Sequence, residues 1–295
     1  MKKLASSSRP SFVGPAAGNR PARDHRVEAR RSEALGSVIR FGVSTILISA
    51  VLSLAALPWL HLSWWVVFRR CVSIGAALSV WLCARLERRS LRSYGLPGVR
   101  AGKSDLLFGL LLGLGTLGLM LLLGLASGVC RIAITPDQMR LWQILIGFLP
   151  AAVLVSVLEE LVFRGVILQR LLAFSKPVAV AVSSALYAVV HLKTSDFTFA
   201  TWLELGGLSL LGSVLALSYL ATHQLALSIG LHGALAYGAR INKLVIDIPQ
   251  SPLSWLVGTS RLVNGLAGWL ALLGIGGMIL WWARRSHGGA YDEAI

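Results

Sequence analysis

The sequence predicts an all-α polytopic membrane protein, a helix bundle with about eight transmembrane helices. Of its 295 residues, 55% are hydrophobic and 14% are charged, whereas soluble domains average about 45–50% apolar and roughly 25% charged residues. The apolar residues form blocks close to the ~20 residues that a membrane-spanning helix needs. These blocks lack the two-residue alternation of barrel strands, and helices satisfy every backbone group inside lipid.

The segment 1–38 precedes the first block and is rich in Ser, Pro, Ala and Arg. We expect it to be a disordered basic tail, because it lacks apolar periodicity. Eight apolar blocks follow, and each predicts one helix: residues 41–60, 66–86, 105–127, 143–172, 177–194, 202–221, 224–241 and 262–283. Arg69 and Arg70 interrupt the start of the second block, so Cys71 is an alternative start, with HLSWWVVF lying at the interface.

The predicted transmembrane domain covers residues 39–285, and residues 286–295 form a short C-terminal tail. The formal net charge is +15. The basic residues lie in the tail and between blocks, where they set topology and meet lipid headgroups, so no nucleic acid partner is expected. Eight spans put both termini on one side, which carries 19 basic residues against six on the other. Both termini are therefore predicted to be cytoplasmic.

Five ionisable side chains lie well inside the predicted spans: Glu159, Glu160, Arg164, His191 and His232. Such residues are functional candidates, because each costs at least ~2.5–3.5 kcal/mol at the centre of a membrane helix. Glu159 and His191 each lie 16 residues from a hairpin turn near residue 175, so they reach the same depth. His232 lies near the middle of its own block. Ionisable side chains from three different helices can therefore lie in one layer of the membrane.

Glu160 and Arg164 are four residues apart, so they share a helix face and can pair, which leaves Glu159 for another partner. A carboxylate beside imidazoles can activate water as a general base, and an imidazole N–H can stabilise an oxyanion. Taken singly, these residues also fit an inert ion pair and ordinary hydrogen-bonded histidines. One glutamate and two histidines could also bind a metal, although HExxH is absent.

Other polar residues and the cysteines point to ordinary roles. Glu204, next to Trp202, is predicted to be interfacial, and Asp105 follows Ser104 at a helix N-terminus. The three cysteines lack CxxC spacing and predict neither a disulfide framework nor a zinc site: Cys71, Cys83 and Cys130.

Three stretches resemble the motifs of the CPBP family, which comprises membrane-embedded CAAX-prenyl endopeptidases and bacteriocin-processing enzymes. EELVFR matches its EExxxR motif, and YAVVH resembles its FxxxH motif with Tyr187 in place of Phe. GLHGALAYG resembles the third motif, in which Asn often follows the histidine by four residues; Ala236 stands there in this chain. The similarity covers roughly residues 87–245.

The resemblance implies a glutamic-type intramembrane endopeptidase that uses no metal or other cofactor. By position, Glu159 resembles the base that activates water, His191 helps to hold that water, and His232 contributes to the oxyanion hole. Glu160 with Arg164 resembles the support for the first glutamate. The expected partners are the lipid bilayer and a membrane-anchored peptide or protein substrate, and the expected location is a bacterial inner membrane.

Two other functions remain open at this point. One is a catalytically silent membrane scaffold or immunity-type protein of the same fold. The other is a transporter whose carboxylates relay protons. Ala236 weakens the case for full activity, because one oxyanion donor is then missing or supplied elsewhere. The oligomeric state stays open as well.

Overall fold

The computed structural model describes residues 20–98, 102–192, 197–249, 254–258 and 262–286. These residues form an all-α membrane bundle whose eight principal helices are α1 (Arg20–Leu60), α2 (Trp64–Leu86), α3 (Lys103–Ala126), α4 (Gln138–Leu171), α5 (Lys176–His191), α6 (Phe199–Thr222), α7 (Ala226–Val245) and α8 (Leu266–Ser286). Shorter helical turns cover Leu91–Tyr94, Ser254–Val257 and Leu262–Asn264. Two antiparallel two-residue strands, β1 (Arg131–Ile132) and β2 (Ile246–Asp247), pair Arg131 with Asp247.

Each predicted block corresponds to one of these helices, and six of them are long and apolar enough to cross a membrane: α1, α2, α3, α4, α6 and α8. The remaining two differ in length or polarity. Helix α5 has 16 residues, which is about 24 Å of helix against a hydrocarbon core of about 30 Å. Helix α7 carries His232, Arg240 and Lys243, which lower its mean hydropathy. The membrane bundle is therefore confirmed, and six of the eight predicted spans are both long enough and apolar enough to cross a membrane.

Helix α1 begins earlier than the composition predicts. Residues 20–38, predicted to be part of a disordered tail, are helical. Contacts with α4 and the turn after it explain the difference, because Arg170 donates to the Ser37 hydroxyl at 2.6 Å and the Arg31 guanidinium lies 5.9 Å from the Phe174 ring centroid. The rest of the predicted tails, residues 1–19 and 287–295, lies outside the described residues.

Helix α2 begins at Trp64 and contains Arg69 and Arg70. The helix therefore does not begin at Cys71, and the alternative in which its first turns lie at the interface stays a prediction. The helix can begin early because Val67, which is fully buried, and Cys71 belong to one continuous buried face that the arginines do not interrupt.

Glycines allow the closest contacts between helices around the site. A Cβ atom on Gly109 of α3 would overlap the carbonyl of Leu227 in α7, and one on Gly230 would overlap the carbonyl of Leu106. On the other side of the bundle, Gly212 of α6 packs against Ser184 of α5. A Cβ atom on Gly212 would lie 3.0 Å from the Ser184 Cα atom. These contacts pack α3 tightly on α7 and α5 tightly on α6, and α7 in turn packs on α4, which carries the glutamates.

Helix α4 changes from α-helical to π-helical geometry just after the adjacent residues Glu159 and Glu160. The segment Leu161–Leu168 is π-helical, and all eight of its residues are buried. Such π segments are rare and are frequently found at functional sites. The loop before α3 packs on this segment, since a Cβ on Gly165 would come within 2.7 Å of the Tyr94 carbonyl oxygen. Tyr94 is itself buried, and its hydroxyl donates to Glu87 at 3.0 Å.

Candidate active site

Arg164 and Glu160 form a fully buried ion pair inside the bundle. The Arg164 Nη1 donates to Glu160 Oε1 at 3.0 Å, across one turn of α4. Its Nη2 donates to the backbone carbonyl of Gly212 in α6 at 2.9 Å. The guanidinium also lies 5.0 Å from the Tyr187 ring centroid, close enough for a cation–π contact. The arginine therefore links α4, α5 and α6 around one buried charge.

His232 of α7 connects this ion pair to the second glutamate. Its Nδ1 lies 2.8 Å from Glu160 Oε1, the oxygen that also accepts from Arg164. Its Nε2 lies 3.6 Å from Glu159 Oε2. The His232 imidazole therefore lies between the two carboxylates, with Nδ1 toward Glu160 and Nε2 toward Glu159.

His191, the last residue of α5, contacts Glu159 from the other side. Its Nε2 lies 3.2 Å from Glu159 Oε2, and its Nδ1 lies 2.8 Å from the Tyr187 carbonyl oxygen. A carbonyl can only accept, so Nδ1 carries the proton. In the neutral ring Nε2 is then an acceptor that faces another acceptor, the Glu159 carboxylate.

Exposure separates the cluster into an inner and an outer part. The side chains of Glu160 and Arg164 are 0% and 2% exposed, whereas those of Glu159 and His191 are 26% and 28% exposed. The outer pair is therefore the more accessible one, although the Glu159 Oε2 atom that faces the histidines is itself buried. The inner pair, Glu160 and Arg164, can affect a reaction at Glu159 by orienting His232 and by fixing the position of α4.

All five ionisable residues selected from the sequence meet at this site, and Glu159 contacts His191 as their equal distance from the hairpin turn predicts. Their catalytic roles stay predictions. The sequence did not reveal the two backbone carbonyls that orient the charged groups, those of Gly212 and Tyr187. The spacing of four between Tyr187 and His191 indicates a shared helix face, but the Gly212 contact crosses between helices and has no local signal.

Ala236 brings no polar side-chain atom to α7, one turn beyond His232. The neighbouring Tyr237 hydroxyl donates to the Leu145 carbonyl of α4 at 2.7 Å, so its hydrogen is already used. In the described part of the chain, no group of three or more His, Cys, Asp and Glu side chains has the arrangement to hold a metal ion.

Fold and site together define an integral membrane helix bundle with a buried glutamate–arginine pair joined to a glutamate between two histidines. The family model described as "Type II CAAX prenyl endopeptidase Rce1-like" matches residues 141–237, a segment that contains all five clustered residues. This match confirms the predicted resemblance to the CPBP family, and at the coarse level it supports a protease. Comparisons with curated proteins and with solved structures gave no match.

Proposed function

We propose that the protein is an intramembrane endopeptidase that cleaves a membrane-anchored or lipidated peptide or protein with a water molecule activated by Glu159. The observation that carries the proposal is the position of Glu159 Oε2, 3.2 Å from His191 Nε2 and 3.6 Å from His232 Nε2. This carboxylate oxygen has no hydrogen-bond partner among the described residues. It is therefore available to accept a proton from water.

In the proposed reaction, Glu159 and the Nε2 atom of His191 each accept a hydrogen bond from the same water. The water oxygen attacks the carbonyl carbon of the scissile peptide bond while one of its protons passes to Glu159. The protonated Glu159 then gives that proton to the leaving nitrogen as the carbon–nitrogen bond breaks. The products are a new carboxyl terminus and a free amine, so the step needs no other reactant.

His232 has the position of an oxyanion donor in this scheme. Glu159, Glu160 and Arg164 together carry one net negative charge when ionised, and a protonated His232 neutralises it. An imidazolium donates from both nitrogens, so Nδ1 keeps its hydrogen bond to Glu160 while Nε2 donates to an oxyanion that develops beside Glu159. The Glu160–Arg164 pair then fixes the ring and its charge. In this arrangement no group on Ala236 is required.

The proposed location is a bacterial inner membrane with both termini in the cytoplasm. Support for the orientation comes from the basic residues, 19 on the terminal side against six on the other, or eight when Arg69 and Arg70 are added. The hairpin turn between α4 and α5 then lies on the cytoplasmic side, and the C-terminal end of α5, with His191, points to the opposite side. Substrates with an apolar anchor fit a site whose reacting groups lie inside the membrane layer.

The test is cleavage of a library of tagged membrane-anchored peptides by the full-length protein in liposomes, read by mass spectrometry. Wild-type protein is compared with Glu159→Gln and with Glu33→Gln, a matched control at an exposed glutamate outside the site. We expect cleavage by the wild type and the control and none by Glu159→Gln. Peptide binding without cleavage by any of the three proteins would favour the silent scaffold instead. Proton flux coupled to peptide uptake would favour a transporter.

A further inference from the structure

Arg69 and Arg70 are two permanent charges in α2 that the proposed reaction does not use. Both side chains are exposed, whereas the face of α2 that is buried lies elsewhere on the helix, at Val67, Cys71 and Gly75. Neither arginine makes an ion pair, a hydrogen bond or a ring contact with any part of the chain that the structure describes. Helix α2 is long and apolar enough to cross the membrane, and in that arrangement its exposed surface, which includes both charges, is the surface next to lipid.

The depth of these arginines follows from the aromatic residues at the start of α2. Trp64, Trp65 and Phe68 form a cluster with ring centroids 5.0 to 6.3 Å apart, and both indoles are exposed. Exposed Trp side chains sit at the level of the lipid headgroups. Arg69 and Arg70 follow Trp64 by five and six residues, which is about 8–9 Å along a helix. Their guanidinium groups therefore start just below the headgroups and must extend back toward them.

We propose that Arg69 and Arg70, together with the indole of Trp65 one helical turn before Arg69, bind the headgroup of an anionic phospholipid in the leaflet next to the α1–α2 turn. Guanidinium forks match phosphate oxygens, and an arginine stays charged at any depth. The indole N–H group of Trp65 is a donor at the same level. Apolar side chains on the exposed surface of α2, such as Val66 and Ile74, lie where the acyl chains of that lipid would pass.

Charge favours an anionic over a zwitterionic lipid as the occupant. A phosphatidylcholine headgroup also has a phosphate, but its choline cation cancels the charge that the arginines attract. Each arginine near the membrane surface contributes about fivefold to anionic lipid affinity, so the pair predicts a preference of roughly thirtyfold. Because part of this attraction is screened by ions, the preference should fall with salt.

The test measures quenching of Trp64 and Trp65 fluorescence by brominated lipids. Full-length protein is reconstituted in phosphatidylcholine bilayers that contain either brominated phosphatidylglycerol or brominated phosphatidylcholine at equal low fractions. The signal of the Trp64→Phe/Trp65→Phe variant is subtracted. We expect stronger quenching by the anionic lipid in the wild type and equal quenching by the two lipids in Arg69→Gln/Arg70→Gln.

The matched control is Arg85→Gln/Arg92→Gln, which removes two exposed arginines at and beyond the other end of α2. It should keep the wild-type preference, because Arg85 lies 21 residues from Trp64, about 30 Å along the helix. Equal quenching by both lipids in the wild type, or an unchanged preference after loss of Arg69 and Arg70, overturns the proposal. So does displacement of the lipid by millimolar glycerol phosphate, which would indicate a site for the soluble phosphate group.

Discussion

Removal of the Arg164 side chain should destabilise the protein more than any other single change at the site. The side chain is 2% exposed and holds Glu160, the Gly212 carbonyl and the face of Tyr187. Arg164→Met keeps much of the apolar volume but breaks the ion pair of the fully buried Glu160 and leaves that carboxylate with His232 alone. Breaking a buried pair in this way costs about 3–5 kcal/mol. The unpaired Gly212 carbonyl adds to that loss, although the two contributions are not additive.

The assay is unfolding in mixed micelles of increasing denaturing detergent, followed by the helical circular dichroism signal. Arg164→Met, Glu160→Gln and the double variant form a thermodynamic cycle with the wild type. In the double variant both charges are gone, and the amide that replaces the Glu160 carboxylate can still accept from His232. Its loss of stability should therefore fall short of the sum of the single losses by about 2–3 kcal/mol. Additive losses, or a loss under about 1 kcal/mol for Arg164→Met, would refute the structural role assigned to the pair.

Three further outcomes are expected. Once a cleaved peptide is known, His232→Ala should slow cleavage by about 10²–10³, the usual cost of one oxyanion donor; an unchanged rate in a folded variant contradicts its assigned role. EDTA should leave the cleavage rate unchanged, because the proposed reaction needs no metal, and a loss that zinc restores would replace glutamate-activated water with a metal mechanism. Reporter fusions at residue 295 and at the α4–α5 turn should both be active as cytoplasmic reporters, whereas activity at residue 295 only outside the cytoplasm reverses the predicted orientation.

Local spacing was enough to predict the parts of the site that lie on one helix or one hairpin. Glu160 and Arg164 pair because four residues make one turn, and Glu159 meets His191 because both lie equally far from the turn after α4. For His232, the sequence predicted only that the side chain lies in the same membrane layer as the glutamates, and it did not predict the contacts with both carboxylates. Its partner atoms depend on how α7 is rotated against α4, which no local pattern in the sequence determines.

Contacts between distant segments account for what the sequence did not predict. Residues 20–38 read as a tail because their apolar residues are few, yet α1 extends through them and contacts α4 through Ser37 and Arg170. The π-helical segment of α4 has the same apolar composition as an α-helix, so only the packing of Tyr94 against Gly165 shows how tightly it is enclosed. The role of the Gly212 carbonyl likewise follows from a contact between helices 48 residues apart in sequence.

The most direct measurement of the central claim compares cleavage, peptide binding and stability in the Glu159→Gln variant. Gln is nearly isosteric with Glu and loses only its basicity, and Glu159 is not part of the buried ion pair. The account predicts that cleavage of a peptide cut by the wild type is lost, while peptide affinity and the unfolding midpoint in detergent stay close to the wild-type values. Cleavage at the wild-type rate by a folded Glu159→Gln protein would contradict the claim that Glu159 activates the water.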